Sequence, residues 1–206
     1  IVKTNGYLEE YYSQIKSGKK VVGWELQLEI DKLIAEMDLE EFIYDTTDAD
    51  IRIDFIENCI RLTKSPFYGQ PMKLMLFQKA LISAFYSFKM LDDTDRFQRL
   101  LLLIARKNGK SELCSALVLT EMIIGGKGLD IVCSSNDDNQ ANILTDAVDT
   151  MRLMIDPEQV DTWRNQRGIK CLINNNKVEL PELKNKIKSG LLDINKPLFF
   201  YRNLIV

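Results

Sequence analysis

Four consecutive leucines, Leu100 to Leu103, run into Ile104-Ala105-Arg106-Lys107-Asn108-Gly109-Lys110-Ser111, and a helix-forming segment, Glu112 to Ile124, follows at once. Apolar strand, Gly-Lys-Ser turn and helix, in that order, make the architecture of a triphosphate-binding loop. In such a turn the backbone N–H groups and the helix N-terminus form a positive nest for phosphate oxygens. Lys110 is placed to reach the β- and γ-phosphates of a nucleotide, and the Ser111 hydroxyl to ligate Mg²⁺. Ile104 stands where the usual G-x-x-x-x-G-K-[ST] pattern has its leading glycine. A Gly-Lys-Ser turn also occurs as a plain connection, so the flanking strand and helix carry the assignment.

The remaining chemistry is narrowed by what the 206 residues contain. There is no histidine, which removes Ser-His and Cys-His nucleophile schemes and histidine metal sites. Cys59, Cys114, Cys133 and Cys171 are widely spaced in apolar surroundings, so buried thiols are expected rather than disulfides or zinc ligands. At 46% hydrophobic and 28% charged the chain reads as a soluble globular protein, and a net charge of −3 argues against a broadly basic nucleic-acid coat. No apolar stretch approaches the roughly 18 residues of a membrane span. Ile1-Val2-Lys3 has neither an initiating methionine nor a signal-peptide pattern, so a fragment is expected.

Three regions are expected along the chain. Residues 1–90 read as a wholly helical region, with Trp24, Leu28, Ile34 and Met37 on one helix face. Thr47-Asp48-Ala49-Asp50 resembles a helix cap before Ile53, Ile56 and Ile60, and Lys64-Ser65-Pro66 is expected to end that helix. Leu74, Phe77, Leu81, Phe85 and Phe88 line a third helix. Residues 91–178 read as an α/β core: strands over 100–104 and 129–133 with the Glu112–Ile124 helix between them, a βαβ unit implying a parallel sheet flanked by helices. Asp137-Asp138 then opens a helix with Leu144, Ala147, Val148 and Met151 on one face, closed by Asp156-Pro157. In the weaker segment that follows, Asn174-Asn175-Asn176 reads as a turn and Leu180-Pro181 as a break. Residues 179–206 read as a divergent or truncated tail in which Lys184, Lys186 and Lys188 alternate as a solvated face.

The string Leu103 to Ser111, followed by Asp-Ile-Val-Cys-Ser-Ser-Asn-Asp-Asp-Asn-Gln-Ala at 130–141, resembles the large terminase subunit of tailed bacteriophages. Ser-Pro-Phe-Tyr-Gly at 65–69 and Phe-Gln-Lys-Ala at 77–80 are similar to the same family's N-terminal region, and the likeness runs from about Trp24 to Val178. The missing first glycine is a habit of that family. The resemblance implies a P-loop NTPase-like motor using ATP and Mg²⁺ to drive double-stranded DNA into a capsid. It further implies the small terminase subunit and the portal as partners, and the cytoplasm of the bacterial host as its place. Lys107, Asn108, Gly109, Lys110 and Ser111 would then hold the nucleotide, with Ser111 on the metal. Arg106 would stabilise the γ-phosphate with a planar guanidinium, acting with Lys110 as the catalytic pair. Gln78 would read the adenine edge beside Phe77, the alternative being a polar residue on the solvent edge of its helix. Ser134-Ser135-Asn136-Asp137 with Gln140 is similar to the family's second loop, the alternative being a plain helix cap. Arg96, Arg99 and Arg106 are candidates for a cluster near the nucleotide.

Hydrolysis in such folds also needs four apolar residues followed by Asp-Glu, and no Asp-Glu pair occurs in the sequence. Leu153-Met154-Ile155-Asp156 runs into Pro157, and Leu191-Leu192-Asp193 into Ile194. A truncated gene without the nuclease domain is therefore expected, with turnover lowered on the order of 10²-fold or more and a monomeric or weakly oligomeric chain. Two readings compete: a non-catalytic prophage remnant with an empty phosphate loop, and another P-loop protein such as a helicase-like translocase.

Overall fold

The computed structural model describes residues 6–105, 107–125, 129–135, 138–155, 172–174, 177–180, 185–191 and 203–205. The chain divides into two compact units, Ile1–Asp54 with Lys73–Gln98, and Phe55–Met72 with Arg99–Val206.

The first unit is built on α1 (Tyr7–Lys16), α2 (Trp24–Glu36), the start of α3 (Thr47–Cys59) and α4 (Leu76–Tyr86). It is not wholly helical as expected: β1 (Phe42–Tyr44) pairs antiparallel with β2 (Phe88–Met90), Tyr44 opposite Phe88. Phe88, expected on a helix, sits in β2 and is fully buried, with its ring 4.9 Å from that of Tyr44. The core joins Leu8, Tyr11 and Ile15 of α1 to Ile30 and Leu33 of α2, Ala80 of α4 and Phe88. On α2 the inward stripe is Ile30, Leu33, Ile34 and Met37, at i, i+3, i+4 and i+7. Trp24 and Leu28, expected inside, are 69% and 56% exposed, because 100° per residue carries them to the opposite side. α3 starts earlier than the cap expected at 47–50: Thr47 is already helical and donates its N–H and hydroxyl to Asp45, while Ile53, Ile56 and Ile60 are fully buried as expected.

One charge contact holds the edge of this core. Arg96 Nη1 lies 2.7 Å from Glu36 Oε2, both side chains mostly buried, and the guanidinium packs over the rings of Phe42, Phe88 and Phe97. The Arg96 guanidinium, through this close contact and then its charge, holds the Glu36 carboxyl below its usual range. Arg96 is therefore a structural residue of the first unit.

In the second unit α3 stops at Cys59, earlier than Pro66 predicts. Residues 60–72 form a loop closed by backbone bonds from Leu62 to Gln70, Gly69 to Leu62 and Met72 to Ile60. Next come β3 (Arg99–Leu101), α5 (Lys110–Ile124), β4 (Asp130–Ser135) and α6 (Asp138–Ile155). The last elements are β5 (Leu172–Asn174), β6 (Lys177–Leu180), β7 (Asn185–Leu191) and β8 (Asn203–Ile205). Every residue from Leu113 to Thr120 is buried, so α5 is enclosed on all sides. The Ser115 hydroxyl of α5 donates to the Leu144 carbonyl of α6 at 3.4 Å, and Thr120 satisfies its own hydroxyl on Ala116. The expected faces of α6 hold, with Ala147, Val148 and Met151 buried.

The sheets differ from the expected parallel sheet. The larger has the order β4-β7-β6-β5: β4 and β7 are parallel, whereas β7-β6 and β6-β5 are antiparallel. β3 pairs parallel with β8, so β3 and β4 are not neighbours among the described strands. The fold is thus a mixed helix and strand structure with small sheets. Leu101 and Leu103 are 76% and 82% exposed, against the expectation of a buried strand. Asn174 is register partner to Lys177, and Asn175 and Asn176 of the expected turn lie outside the described residues. Asp156-Pro157 and Pro181 lie outside the described residues, although α6 and β6 end immediately before them.

Replacing Arg96 by Ala should lower unfolding stability at neutral pH by about 2 kcal/mol, through the stranded Glu36 and the lost ring packing. A depressed carboxyl stabilises the fold above the ordinary carboxylate range and loses that contribution as pH falls through its folded value. The gap between wild type and variant in urea titrations should therefore narrow on acidification.

Candidate functional site

The turn that leads into α5 is exposed from Lys107 to Gly109, and Lys110 and Ser111 are half-buried. Two of its residues adopt left-handed backbone, Lys107 at φ 68° and Gly109 at φ 74°, on either side of Asn108. Left-handed residues alternating with others turn successive N–H groups toward one side, the geometry of an anion-binding nest. The Asn108 side chain braces the turn by donating to the Ala105 carbonyl at 3.2 Å.

Gly109 is also the N-cap of α5, and no side chain caps this helix end. Its carbonyl accepts the first helical bond, from the Leu113 N–H at 2.9 Å. The N–H groups of the first turn thus have no intrahelical acceptor and present the positive end of the helix dipole. Lys110 and Ser111 stand in that turn, where an ammonium and a hydroxyl suit phosphate oxygens and a hard divalent cation. The donor set fits a nucleotide with Mg²⁺. Among the described residues no group of three or more Cys, Asp or Glu side chains offers a rival metal site.

One turn along α5 the Cys114 thiol is buried and pushed up to about 11 by that burial, despite the opposing charge of Lys110. The Cys133 thiol on β4 is pushed up to about 12, again by burial with a smaller effect from Cys114. Both therefore stay protonated and unreactive at neutral pH.

Glu112 was not singled out from the sequence. As the third residue of α5 it stands where a carboxylate usually reaches back to cap its own helix. Here its Oε2 accepts from the Thr63 N–H at 3.2 Å and its Oε1 from the Thr63 hydroxyl at 2.5 Å. The glutamate after Gly-Lys-Ser was the local signal. Its partner, 49 residues upstream in the 60–72 loop, had none.

Arg106, Asn136 and Asp137 lie outside the described residues, as does Lys184. Gln78 belongs to the first unit and is only 6% exposed, so the solvent-edge alternative fails. Its Oε1 accepts the Met75 N–H at 2.8 Å, half of a capping box on α4, and Phe77 packs on the first unit's core. Arg99 begins β3, Ser134 and Ser135 end β4, and Gln140 stands in the first turn of α6. Lys186 and Lys188 lie on β7, the strand bonded to both β4 and β6.

Gly109→Ala forces a side chain into left-handed backbone and should cost about 1–2 kcal/mol in chemical denaturation. Lys107→Gly relieves the same conformation two residues earlier and should be neutral or stabilising by roughly a few tenths of a kcal/mol.

The family described as "Terminase large subunit, ATPase domain" matches residues 76–198, continuing past Val178, where the likeness was expected to fade. No curated protein matches. Among solved structures the chain is similar to the HK97 bacteriophage large terminase, at 23% identity and a TM-score of 0.55. That alignment covers 72% of this chain and 28% of the other, so this chain spans under a third of that terminase's length. With more than half of its residues inside the family match, and a fold similar to a solved member, the chain belongs to the large-subunit terminases, through their ATPase domain.

Proposed function

We propose that this chain is the ATP- and Mg²⁺-binding part of a DNA-packaging motor, with the turn from Arg106 to Ser111 as its phosphate loop. The observation that carries the reading is the left-handed pair Lys107 and Gly109 at the uncapped start of a helix buried on all sides. Such a helix cannot shift without breaking its packing, so the nest is set before a nucleotide arrives. Backbone N–H groups of residues 107–111 take phosphate oxygens, and the Lys110 ammonium neutralises the β- and γ-phosphates. The Ser111 hydroxyl holds Mg²⁺, which when bound draws charge from the terminal phosphates. Arg106 is assigned to the γ-phosphate by family resemblance, on its position in the sequence before Gly-Lys-Ser.

Double-stranded DNA, the small terminase subunit and the portal are the partners proposed for the whole motor, acting in the cytoplasm of a bacterial host. Among the described residues no helix is long and apolar enough to cross a membrane. The core of residues 91–178 is proposed as the nucleotide-binding part, and the first 90 residues and those from 179 onward as its flanks. The sequence has no Asp-Glu pair to orient Mg²⁺ and activate water, so binding without efficient turnover is proposed for this chain alone.

Titration of the full chain with ATP-Mg²⁺ should show saturable binding, weakened roughly 10- to 100-fold by Lys110→Ala. Binding indifferent to Lys110 would overturn the loop assignment. Phosphate release by the wild-type chain should stay at background, and sustained turnover would show that another group activates water.

A further inference from the structure

Glu112 sets an electrostatic problem for any anion at the start of α5. A carboxylate in the first helical turn favours the helix dipole but repels a phosphate bound at the same N-terminus. A glutamate there has two places to put its charge: back toward the helix start, where the phosphates sit, or away from it. In this structure both carboxylate oxygens are occupied by Thr63, one by the backbone N–H and the other by the hydroxyl. Thr63 is itself fixed by the 60–72 loop, closed through Leu62, Gln70, Gly69, Met72 and Ile60. The donors are not accidental neighbours on a frayed segment. They are presented by a loop whose ends are tied together one residue before Thr63.

We propose that Thr63 is a positioning residue for nucleotide binding: by engaging both oxygens of Glu112, it holds that negative charge off the phosphate-facing side of the α5 N-terminus. The inference rests on the assignment of the turn as a phosphate loop. Thr63 touches no substrate and acts only through Glu112. The Thr63–Glu112 contact also joins the 60–72 loop, with Phe67 and Tyr68 exposed on it, to the first turn of the nucleotide-binding helix.

The test is a double-mutant cycle on the full chain, read by ATP-Mg²⁺ affinity. Thr63→Val keeps the backbone donor and the side-chain shape but removes the hydroxyl, freeing one oxygen of Glu112. It should weaken binding roughly 2- to 5-fold, the size of a charge effect within one helical turn. Thr63→Ser, which keeps the hydroxyl, should bind as wild type. On a Glu112→Gln background, where no charge remains to misdirect, Thr63→Val should have no effect. The wild-type-background loss should also shrink in part at an ionic strength of about 0.5 M, since the half-buried Glu112 charge is partly screened there. A merely structural contact predicts otherwise: the same loss on both backgrounds and no dependence on salt. Either of those results, or an unchanged affinity for Thr63→Val, overturns the proposal. Should Thr63→Val fail to fold, Thr63→Ala carries the same comparison. If wild type does not bind ATP, or Lys110→Ala binds as well as wild type, the phosphate-loop assignment fails and the inference falls with it. Intact Lys110-dependent binding with a null cycle instead removes the role of Thr63 alone.

Discussion

The left-handed turn at Gly109 is useful only because α5 behind it cannot move. A helix start is a weak anion site when the helix is free to fray or tilt, since its orphan N–H groups then point over a range of directions. Here eight successive residues, Leu113 to Thr120, are buried, and Ser115 fastens the helix to the backbone of α6. Small residues at 114–116 let neighbours approach closely, and Thr120 returns its hydroxyl to the helix instead of seeking a distant partner. The cost of exposing such a helix exceeds anything a single phosphate contact could repay. The direction of its first N–H groups is therefore fixed by packing, and Gly109 supplies the one backbone conformation that aims the turn at them.

Electrostatics at this site is local, not global. The chain carries a net charge of −3, which taken alone would disfavour a polyanionic ligand. Over a few ångströms the balance is different: Lys107, Lys110 and the helix dipole stand on the exposed side of the turn, and the nearest acid in α5 is engaged elsewhere. Beyond about a Debye length the remaining carboxylates are screened and count for little. Arg96 belongs to the first unit. Its charge is spent on Glu36 and three aromatic rings in the first unit, where it holds a strand edge to the helices.

Much of this was legible from residue order, and the failures have physical causes. The α5 span, the β4 run and the α6 face came directly from local signals: a Gly-Lys-Ser turn after an apolar run, an apolar run between turn residues, and acidic residues at a helix start. What depended on partners far along the chain was not legible. β1 and β2 are three residues each and become strands only by pairing with one another, so no periodicity marks them. On α2 the tryptophan drew the helix face toward itself, although four aliphatic residues made the stricter stripe. The Thr63–Glu112 contact joins segments 49 residues apart and leaves no pattern in either.

The segment from 179 onward makes the strongest case for reading register before composition. Its alternating lysines suggested a solvated tail, yet β7 is bonded on both sides, to β4 and β6. Register explains how both can be true. Lys186 lies opposite Asp130 and Glu179, and Lys188 opposite Val132 and Lys177, so these positions share one face of the sheet. Ile187 lies opposite Ile131 and Val178 on the other face. Val132 is exposed while Ile131 and Cys133 are partly buried, as that division requires. A strand covered on both faces would read as a continuous apolar run. Alternation instead marks a central strand whose two faces differ in character, and a polar period of two is no sign that a segment has left the fold.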